Sequence, residues 1–435
     1  MSRSDTIFTL SSGALPSGVA VIRVSGNKAL TAVERLCGHI PLPRRASLMP
    51  LTACDGGLID HALVIVFSAP ASFTGEDCVE FHTHGGRAVV AALLNELAAI
   101  EGFRPAEAGE FTQRAFINGK IDLTGAEALA DLIDAETEAQ RRLARVNADG
   151  RQRRLYEGWR DAILRCRAYI EAELDFSDEG DVPGSVAEQV WRELSELRQA
   201  MLNHVAQFRR GQIIREGFRI VLLGAPNAGK SALINALADR DVAIVSDEAG
   251  TTRDLIEVAL DLDGLKVLVT DTAGIREVDS KVERIGIDRA LARAEDADLV
   301  LYLEDMDDPR PLELPDGWSV LRVGSKADLV QPNTSYDLCI STVTGEGMQT
   351  LTERLTALAA ASIGGVGDIL PTQMRHVSLI TKAAEFIGRS LDGSLPLELR
   401  AEELRLAADT LGSLTGAIGA EELLGVIFSR FCIGK

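Results

Sequence analysis

The residues best placed to do chemistry lie in the run Gly224-Ala225-Pro226-Asn227-Ala228-Gly229-Lys230-Ser231-Ala232, which fits GxxxxGK[ST]. Glycines at the two fixed positions let backbone N–H groups curl around phosphate oxygens without a Cβ in the way. Lys230 would reach the β- and γ-phosphates, and the Ser231 hydroxyl would ligate Mg²⁺. A helix opening at Lys230 adds its positive dipole end. The apolar run FRIVLL immediately precedes the loop, as a buried strand feeding a phosphate loop should.

Companion motifs follow in order. Gly250-Thr251-Thr252-Arg253-Asp254 offers a threonine that can complete a Mg²⁺ shell when a γ-phosphate is present. LKVLVTD then ends in Asp271-Thr272-Ala273-Gly274, where the acid can hold Mg²⁺ through water and the Gly274 N–H can approach the γ-phosphate. After SVLRVG comes Ser325-Lys326-Ala327-Asp328, a variant of the usual Asn-Lys-x-Asp. Asp328 can accept both N1–H and N2–H of guanine, which adenine does not offer, and Lys326 can pack along the ring. Ser325 replaces the usual Asn, so a tethering hydrogen bond is shortened or lost. Ser341-Thr342, after DLCI, stands where a backbone N–H contacts guanine O6. Together these motifs define a GTP site.

Hydrolysis needs an oriented water. The Gln that does this in Ras-like GTPases is replaced by Ile275. Asn227 could give an oxygen to a monovalent cation beside the phosphates, where an arginine finger would put its charge. Glu283, in KVERIGIDRA, has two readings: an acid that orients the water after a loop movement, or a solvated first-turn acid favoured by the helix dipole.

The elements that must carry these residues can be read from pattern. At 435 residues the chain should hold two or three domains. Residues 1–118 mix β-like runs (18–24, 62–67, 78–83) with a helix near 88–100, an α+β domain. From Thr124 the spacing becomes helical, with Thr124 and Glu127 in capping-box register, and helices run to about residue 215 with a break at Gly180 to Gly184. Residues 216–360 alternate strands (FRIVLLG, LIEVALDL, LKVLVTD, ADLVLYL, WSVLRVG) with helices, a doubly wound α/β layout. Helices return over 361–435, so the α/β domain reads as an insertion into a helical one.

Composition limits the alternatives. No apolar run reaches the roughly 18 residues of a membrane span, and MSRSDTIFTL lacks a secretory layout, so a cytoplasmic protein without membrane contact is expected. The six cysteines are scattered with no CxxC, against a zinc or dithiol site. A formal charge of −20 opposes general nucleic-acid binding. Arg141, Arg142, Arg145, Arg151, Arg153 and Arg154 form a basic cluster, open to two readings: a local RNA patch or a solvated helix face.

Several segments together resemble the MnmE (TrmE) family of bacterial tRNA modification GTPases: GVAVIRVSG, SFTGEDCVEFHTHGG, GEFTQRAFINGKIDLTGAEALADLIDA, the phosphate-loop segment, DTAGIREVDSKVERIGIDRA and the terminal FCIGK. The resemblance covers essentially the whole chain. It implies an N-terminal folate-binding and dimerising domain, a helical domain from both flanks, and an inserted P-loop, Ras-like G domain. It implies action with an MnmG (GidA)-like flavoprotein on the wobble uridine of certain tRNAs, adding an aminomethyl or carboxymethylaminomethyl group at C5 from a tetrahydrofolate one-carbon unit. By the same resemblance Arg23, Glu80, Lys120 and Lys435 bind 5-formyl- or methylene-tetrahydrofolate. Asn227, Ser246, Glu248 (by backbone) and Thr251 hold K⁺, Ser231 and Thr252 hold Mg²⁺, and Glu283 orients the water. The family's GTP-bound G domains dimerise. Cys432 matches the C-terminal cysteine. It stands either as a thiolate that adds to uracil C6 or as a small packing residue. His82 and His84 read as structural. Two rival functions remain: a regulatory switch of the ribosome-assembly type, and a folate enzyme with a regulatory GTPase insert.

Overall fold

A computed structural model of the chain describes residues 5–175, 185–239, 243–244, 257–271, 294–331, 334–365, 367–418, 427–428, 431 and 434. The chain forms two compact units. One comprises residues 1–130, 153–164 and 408–435, the other 131–152 and 165–407.

In the first unit β1 (Thr6–Leu10), β2 (Ser17–Ser25), α1 (Ala29–Cys37), β3 (Ser47–Thr52), β4 (Leu58–Phe67), β5 (Cys78–Gly85), α2 (Arg87–Ala98) and β6 (Phe103–Pro105) follow in order. The sheet order is β3-β4-β5-β2-β1-β6, antiparallel except for the parallel β1–β6 pair. Strict alternation explains it. Ala20, Ile22, Val24, Ala62, Val64, Val66, Val79 and Phe81 point to one face and pack on α1 and α2. The other face is covered in part: Ile7, Ser25 and Cys78 are buried there, whereas Val19, Leu48 and Leu63 are 57%, 70% and 45% exposed.

Then come α3 (Glu110–Ile117) and α4 (Leu123–Ile133). The capping residue of α4 is Asp122, whose Oδ1 accepts the Gly125 N–H at 2.9 Å and the Thr124 hydroxyl at 2.5 Å. This corrects the capping register expected for Thr124, which is a buried residue inside the helix. Asp competes for the same N–H groups as Thr and sits one residue before the helix. The chain's end docks on this unit. Phe428 and Phe431 join Leu123 and Ala126 in one cluster, and a Cβ on Gly434 would lie 2.6 Å from Leu10 O.

The second unit contains α5 (Glu138–Ala148), most of α6 (Arg151–Asp175), α7 (Ser185–Val205), α8 (Phe208–Glu216), β7 (Phe218–Leu223), α9 (Lys230–Ala238), β8 (Glu257–Leu262), β9 (Leu265–Asp271), β10 (Leu299–Asp305), β11 (Val320–Ser325), β12 (Leu338–Cys339), α10 (Met348–Ile363), α11 (Met374–Ser390) and the start of α12 (Leu397–Thr415). The helical stretch expected to run on from Thr124 is divided at residues 134–137. There Thr137 and Glu136 donate their N–H groups to Gln140 Oε1 at 3.0 and 2.9 Å and restart the helix as α5. The expected break at Gly180–Gly184 lies outside the described residues. The sheet order β12-β11-β10-β7-β9-β8 is parallel apart from the β8–β9 hairpin. Its central strands are apolar on both faces, as burial beneath helices requires. Ala139 and Leu143 of α5 and Ile213 and Ile214 of α8 share that core.

Candidate functional site

The nucleotide site is built where β7 ends and α9 begins, the crevice at the carboxyl ends of parallel strands. Gly224 has φ +155°, and a Cβ there would lie 2.1 Å from Leu303 O. The loop can turn against β10 only without a side chain. Gly229, at φ +92°, opens α9, and Asn227 is also left-handed, at φ +66°. Lys230 is buried, and its ammonium donates to Gly224 O (2.7 Å) and Ala225 O (2.9 Å), so it lies across the loop it serves. Ala228 packs inside, and Ala232 is exposed on the first turn.

Ser231 Oγ donates to Asp271 Oδ2 at 3.2 Å. The phosphate-loop hydroxyl and the acid at the end of β9 therefore share one spot. Two hard oxygens so placed suit Mg²⁺, with the acid acting directly or through water. Ser246, Glu248, Thr251, Thr252, Thr272, Ala273, Gly274 and Glu283 lie outside the described residues, as do Cys432 and Lys435.

The base-reading residues meet at the ends of β11 and β12. Asp328 Oδ1 accepts the Ser341 hydroxyl at 2.6 Å. Ser341, fully buried, accepts the N–H groups of Val343 (3.2 Å) and Thr344 (3.1 Å) on the same oxygen. Its own N–H goes to Glu346 O at 3.0 Å rather than standing free for guanine O6. Its place in the site is to fix Asp328, which motif spacing did not reveal. Lys326, at φ +62°, pairs with Asp305 at the end of β10. Burial pushes the Asp305 carboxyl up, but the Lys326 ammonium and the Asp307 N–H outweigh it and hold it below its ordinary range. The same pair raises Lys326. Ser325 is buried and donates to Glu304 O at 3.2 Å, so its hydroxyl serves β10 and not the nucleotide.

In the first unit Arg23 and Glu80 are register partners on the face of the sheet opposite α1 and α2. Arg23 Nε and Nη2 donate to Glu80 Oε1 at 3.1 and 3.0 Å, and His82 Nε2 lies 3.2 Å from Glu80 Oε2. The Arg23 guanidinium stands 5.8 Å from the Phe73 ring centre and 5.7 Å from that of Phe111. Lys120 Nζ donates to Pro70 O at 2.9 Å, beside the loop that carries Phe73. Thr74 bonds Ser25 (2.7 Å), and Glu76 bonds both Ser25 (2.8 Å) and Arg114 (3.1 Å), pinning that loop to β2 and α3. Phe111 is fully buried and Phe73 40% exposed, so Phe73 is the ring of the two that is open beside the Arg23–Glu80 pair. His84 instead pairs with Asp60 at 2.8 Å. Arg141 and Arg142 share Glu138, and Arg153 pairs with Glu157, so three of the six arginines of the basic cluster are engaged in local ion pairs.

A phosphate loop between the first strand and helix of a parallel sheet, an acid against its serine, and a fixed aspartate at the base end define a P-loop GTPase domain. The model of the TrmE N-terminus matches residues 6–120, and that of the MnmE helical domain matches residues 123–432. The tRNA modification GTPase MnmE of Chelativorans sp. is 55% identical over 99% of this chain and 98% of its own. That of Brucella anthropi is 56% identical over 100% and 99%. Among solved structures the G domain of the T. maritima FeoB iron transporter is 27% identical, covering 32% of this chain and 98% of that one, at a TM-score of 0.26. The chain belongs to the MnmE family of tRNA modification GTPases. It combines an N-terminal α+β domain, helical segments and a P-loop G domain, and it is a GTPase. Among the described residues no helix is long and apolar enough to cross a membrane.

Proposed function

We propose that this protein uses GTP hydrolysis to drive or gate the modification of tRNA at C5 of the wobble uridine. It acts with an MnmG (GidA)-like flavoprotein and a tetrahydrofolate one-carbon unit, and leaves an aminomethyl or carboxymethylaminomethyl group. The chain then works as three parts, 1–118, a helical domain from 119–215 and 361–435, and the G domain 216–360 inserted between them. The observation that carries the folate reading is the Arg23–Glu80 pair between two aromatic rings, on the face that leads to the strand end where Gly434 packs. Glu80 would bond pterin N–H groups, and Arg23, Lys120 and Lys435 would hold carboxylates. Cys432, three residues from Lys435, would lie beside that site.

Mg²⁺ would take Ser231 and Thr252, with K⁺ on Asn227, Ser246, Glu248 and Thr251, and Glu283 would hold the attacking water. The ions supply positive charge to the phosphates as the bond to the γ-phosphoryl group breaks. The protein's own part is to orient that water and fix the base. Homodimerisation through the first unit is supported by the exposed part of the sheet face opposite α1 and α2. A row of partners, Leu48, Leu63, His82 and Val21, runs across the sheet there with apolar side chains at three of its four places. Such a row is a poor water-facing surface and a good self-complementary one. The cytoplasm is the compartment that holds these substrates.

The test is nucleoside mass analysis of tRNA from a strain lacking this chain, complemented with wild type or Lys230→Ala. Loss of the C5 group in the deletion and in Lys230→Ala supports the proposal. Full modification with Lys230→Ala favours the folate enzyme with a regulatory insert. Unchanged tRNA in the deletion favours the ribosome-assembly switch.

A further inference from the structure

An acidic chain that acts on tRNA must meet RNA phosphates where its own charge is locally reversed. The formal charge is −20, but at a Debye length of about 8 Å in physiological salt only charges near the contact set the sign there. In the second unit such a place is α5 and the turn that follows it. Residues 138–151 hold Arg141, Arg142, Arg145 and Arg151 against Glu138 and Asp149, a surplus of two positive charges.

Packing turns these arginines outward. α5 buries Ala139, Leu143, Ala144 and Asn147, and Ala139 and Leu143 enter the core of the parallel sheet. The opposite stripe is the solvent face, and Arg141, Arg142 and Arg145 occupy it. Arg141 and Arg142 share the single carboxylate of Glu138 while their side chains stay 51% and 60% exposed. Arg145 and Arg151 are exposed and have no ion-pair partner among the described residues. The chain turns at Gly150, with φ +73°, and α6 opens on Arg151 with no acid in its first turn. The amino end of a helix favours an anion, so a cation there without an acid is unfavourable until an anion arrives. A guanidinium offers a fork of donors that matches phosphate oxygens.

We infer that the outer stripe of α5, with Arg151 at the start of α6, holds the phosphate backbone of tRNA, and that Arg145 and Arg151 are its principal contacts. Residues 141–151 include no aromatic ring on which a base could stack, so the stripe positions RNA without reading its sequence. The inference rests on tRNA being the substrate and not on the folate chemistry.

The experiment is binding of labelled tRNA to full-length protein, followed by fluorescence anisotropy over a series of KCl concentrations. Each lost phosphate contact flattens the slope of log affinity against log salt by about 0.7 to 0.9. Arg145→Gln with Arg151→Gln should therefore flatten it by about 1.4 to 1.8 and weaken binding on the order of 25- to 60-fold at about 0.1 M salt. Arg145→Lys with Arg151→Lys should keep the wild-type slope. So should Arg310→Gln with Arg354→Gln, which removes two exposed charges elsewhere in the unit. Unchanged GTP turnover shows that each variant is folded, and Arg151→Gln alone, with half the change in slope, decides the matter if the paired variant does not fold. A wild-type slope in the glutamine pair overturns the inference and leaves tRNA as the substrate. An equal loss in the Arg310 and Arg354 control also overturns it, since overall charge would then set the affinity. Wild type that binds no tRNA overturns the substrate reading and the inference together.

Discussion

Stability should fall as pH drops from 7 to 5.5, and His204 is the group that makes it fall. This imidazole is buried at the end of α7. Burial first, and the nearby His376 second, push its pKa down from the ordinary 6.5 to about 4. A depressed histidine is neutral in the folded protein, so its contribution is intact above pH 6.5. It is lost as pH falls from 6.5 towards 4, because the unfolded chain takes up the proton first. The gap between 6.5 and about 4, at about 1.36 kcal/mol per pH decade, caps the loss at about 3 kcal/mol. At pH 5.5 the unfolded form is about ten to one protonated and the folded form nearly neutral, which gives about 1.4 kcal/mol. Carboxylates have barely begun to titrate there. The assay is urea unfolding followed by tryptophan fluorescence, at pH 7 and 5.5, for wild type and His204→Gln. Gln carries no charge at either pH. About 0.2 kcal/mol of this is already lost at pH 7, so wild type should lose about 1.2 kcal/mol more than the variant over this interval. Equal losses in the two proteins would refute the reasoning and return His204 to an ordinary titration.

At the nucleotide site, Gly224→Ala should abolish GTP binding, because its Cβ would stand 2.1 Å from Leu303 O at φ +155°; equilibrium dialysis with GTP checks it, and retained affinity would contradict the geometry. Ser341→Ala frees Asp328 and should weaken GDP about tenfold or more, as loss of a bond to a charged acceptor does, while pyrophosphate binding, measured by calorimetry, stays as it was. Exchanging K⁺ for Na⁺ at equal ionic strength should slow GTP turnover; equal rates remove the monovalent ion from Asn227. Glu283→Ala should bind GTP normally and hydrolyse it at least about tenfold more slowly, and unchanged turnover would leave it a solvated acid.

The strands of the second unit were legible because burial on both faces writes continuous apolar runs. FRIVLL, LKVLVTD and ADLVLYL read as strands and correspond to β7, β9 and β10, the last running two residues later at each end. β3 and β6 were not, since SLMPLT carries a proline and FRP is three residues long. The division between α4 and α5 was hidden for another reason. The break is made by a local capping box, in which Gln140 takes the Glu136 and Thr137 N–H groups; its Thr-x-x-Gln signature stood in the sequence inside a run whose helical spacing hid it. Among site residues, Gly224, Lys230, Ser231 and Asp328 follow from motif chemistry alone. Arg23 and Glu80 do not, because nothing in the spacing of two strands 57 residues apart shows that they are register partners. Their meeting depends on β2 and β5 pairing in the middle of the sheet, and Phe73 and Phe111 join them only through the loop and helix that flank it.

Insertion of a GTPase domain between helices matters only if the nucleotide end of the sheet is mechanically joined to them, and β9 supplies the joint. Its far end bears Asp271, beside Ser231. Its near end follows Gly264, whose carbonyl accepts the Ala139 N–H of α5 at 3.0 Å, and Lys266 pairs with Glu136 just before that helix. Gln140 of α5 also donates to Arg215 O at 2.9 Å, and Arg215 bonds Asp131 at 2.7 Å, where α8 turns into β7. Seven residues of extended strand span roughly 20 Å, and Val267 and Val269 within it are fully buried. A strand packed this way between β7 and β8 does not bend to absorb a displacement at one end. Any shift of Asp271 on GTP binding or hydrolysis must therefore move the β8–β9 turn against α5 or break the bonds that hold it there. Either outcome carries the state of the nucleotide into the helices without a separate relay.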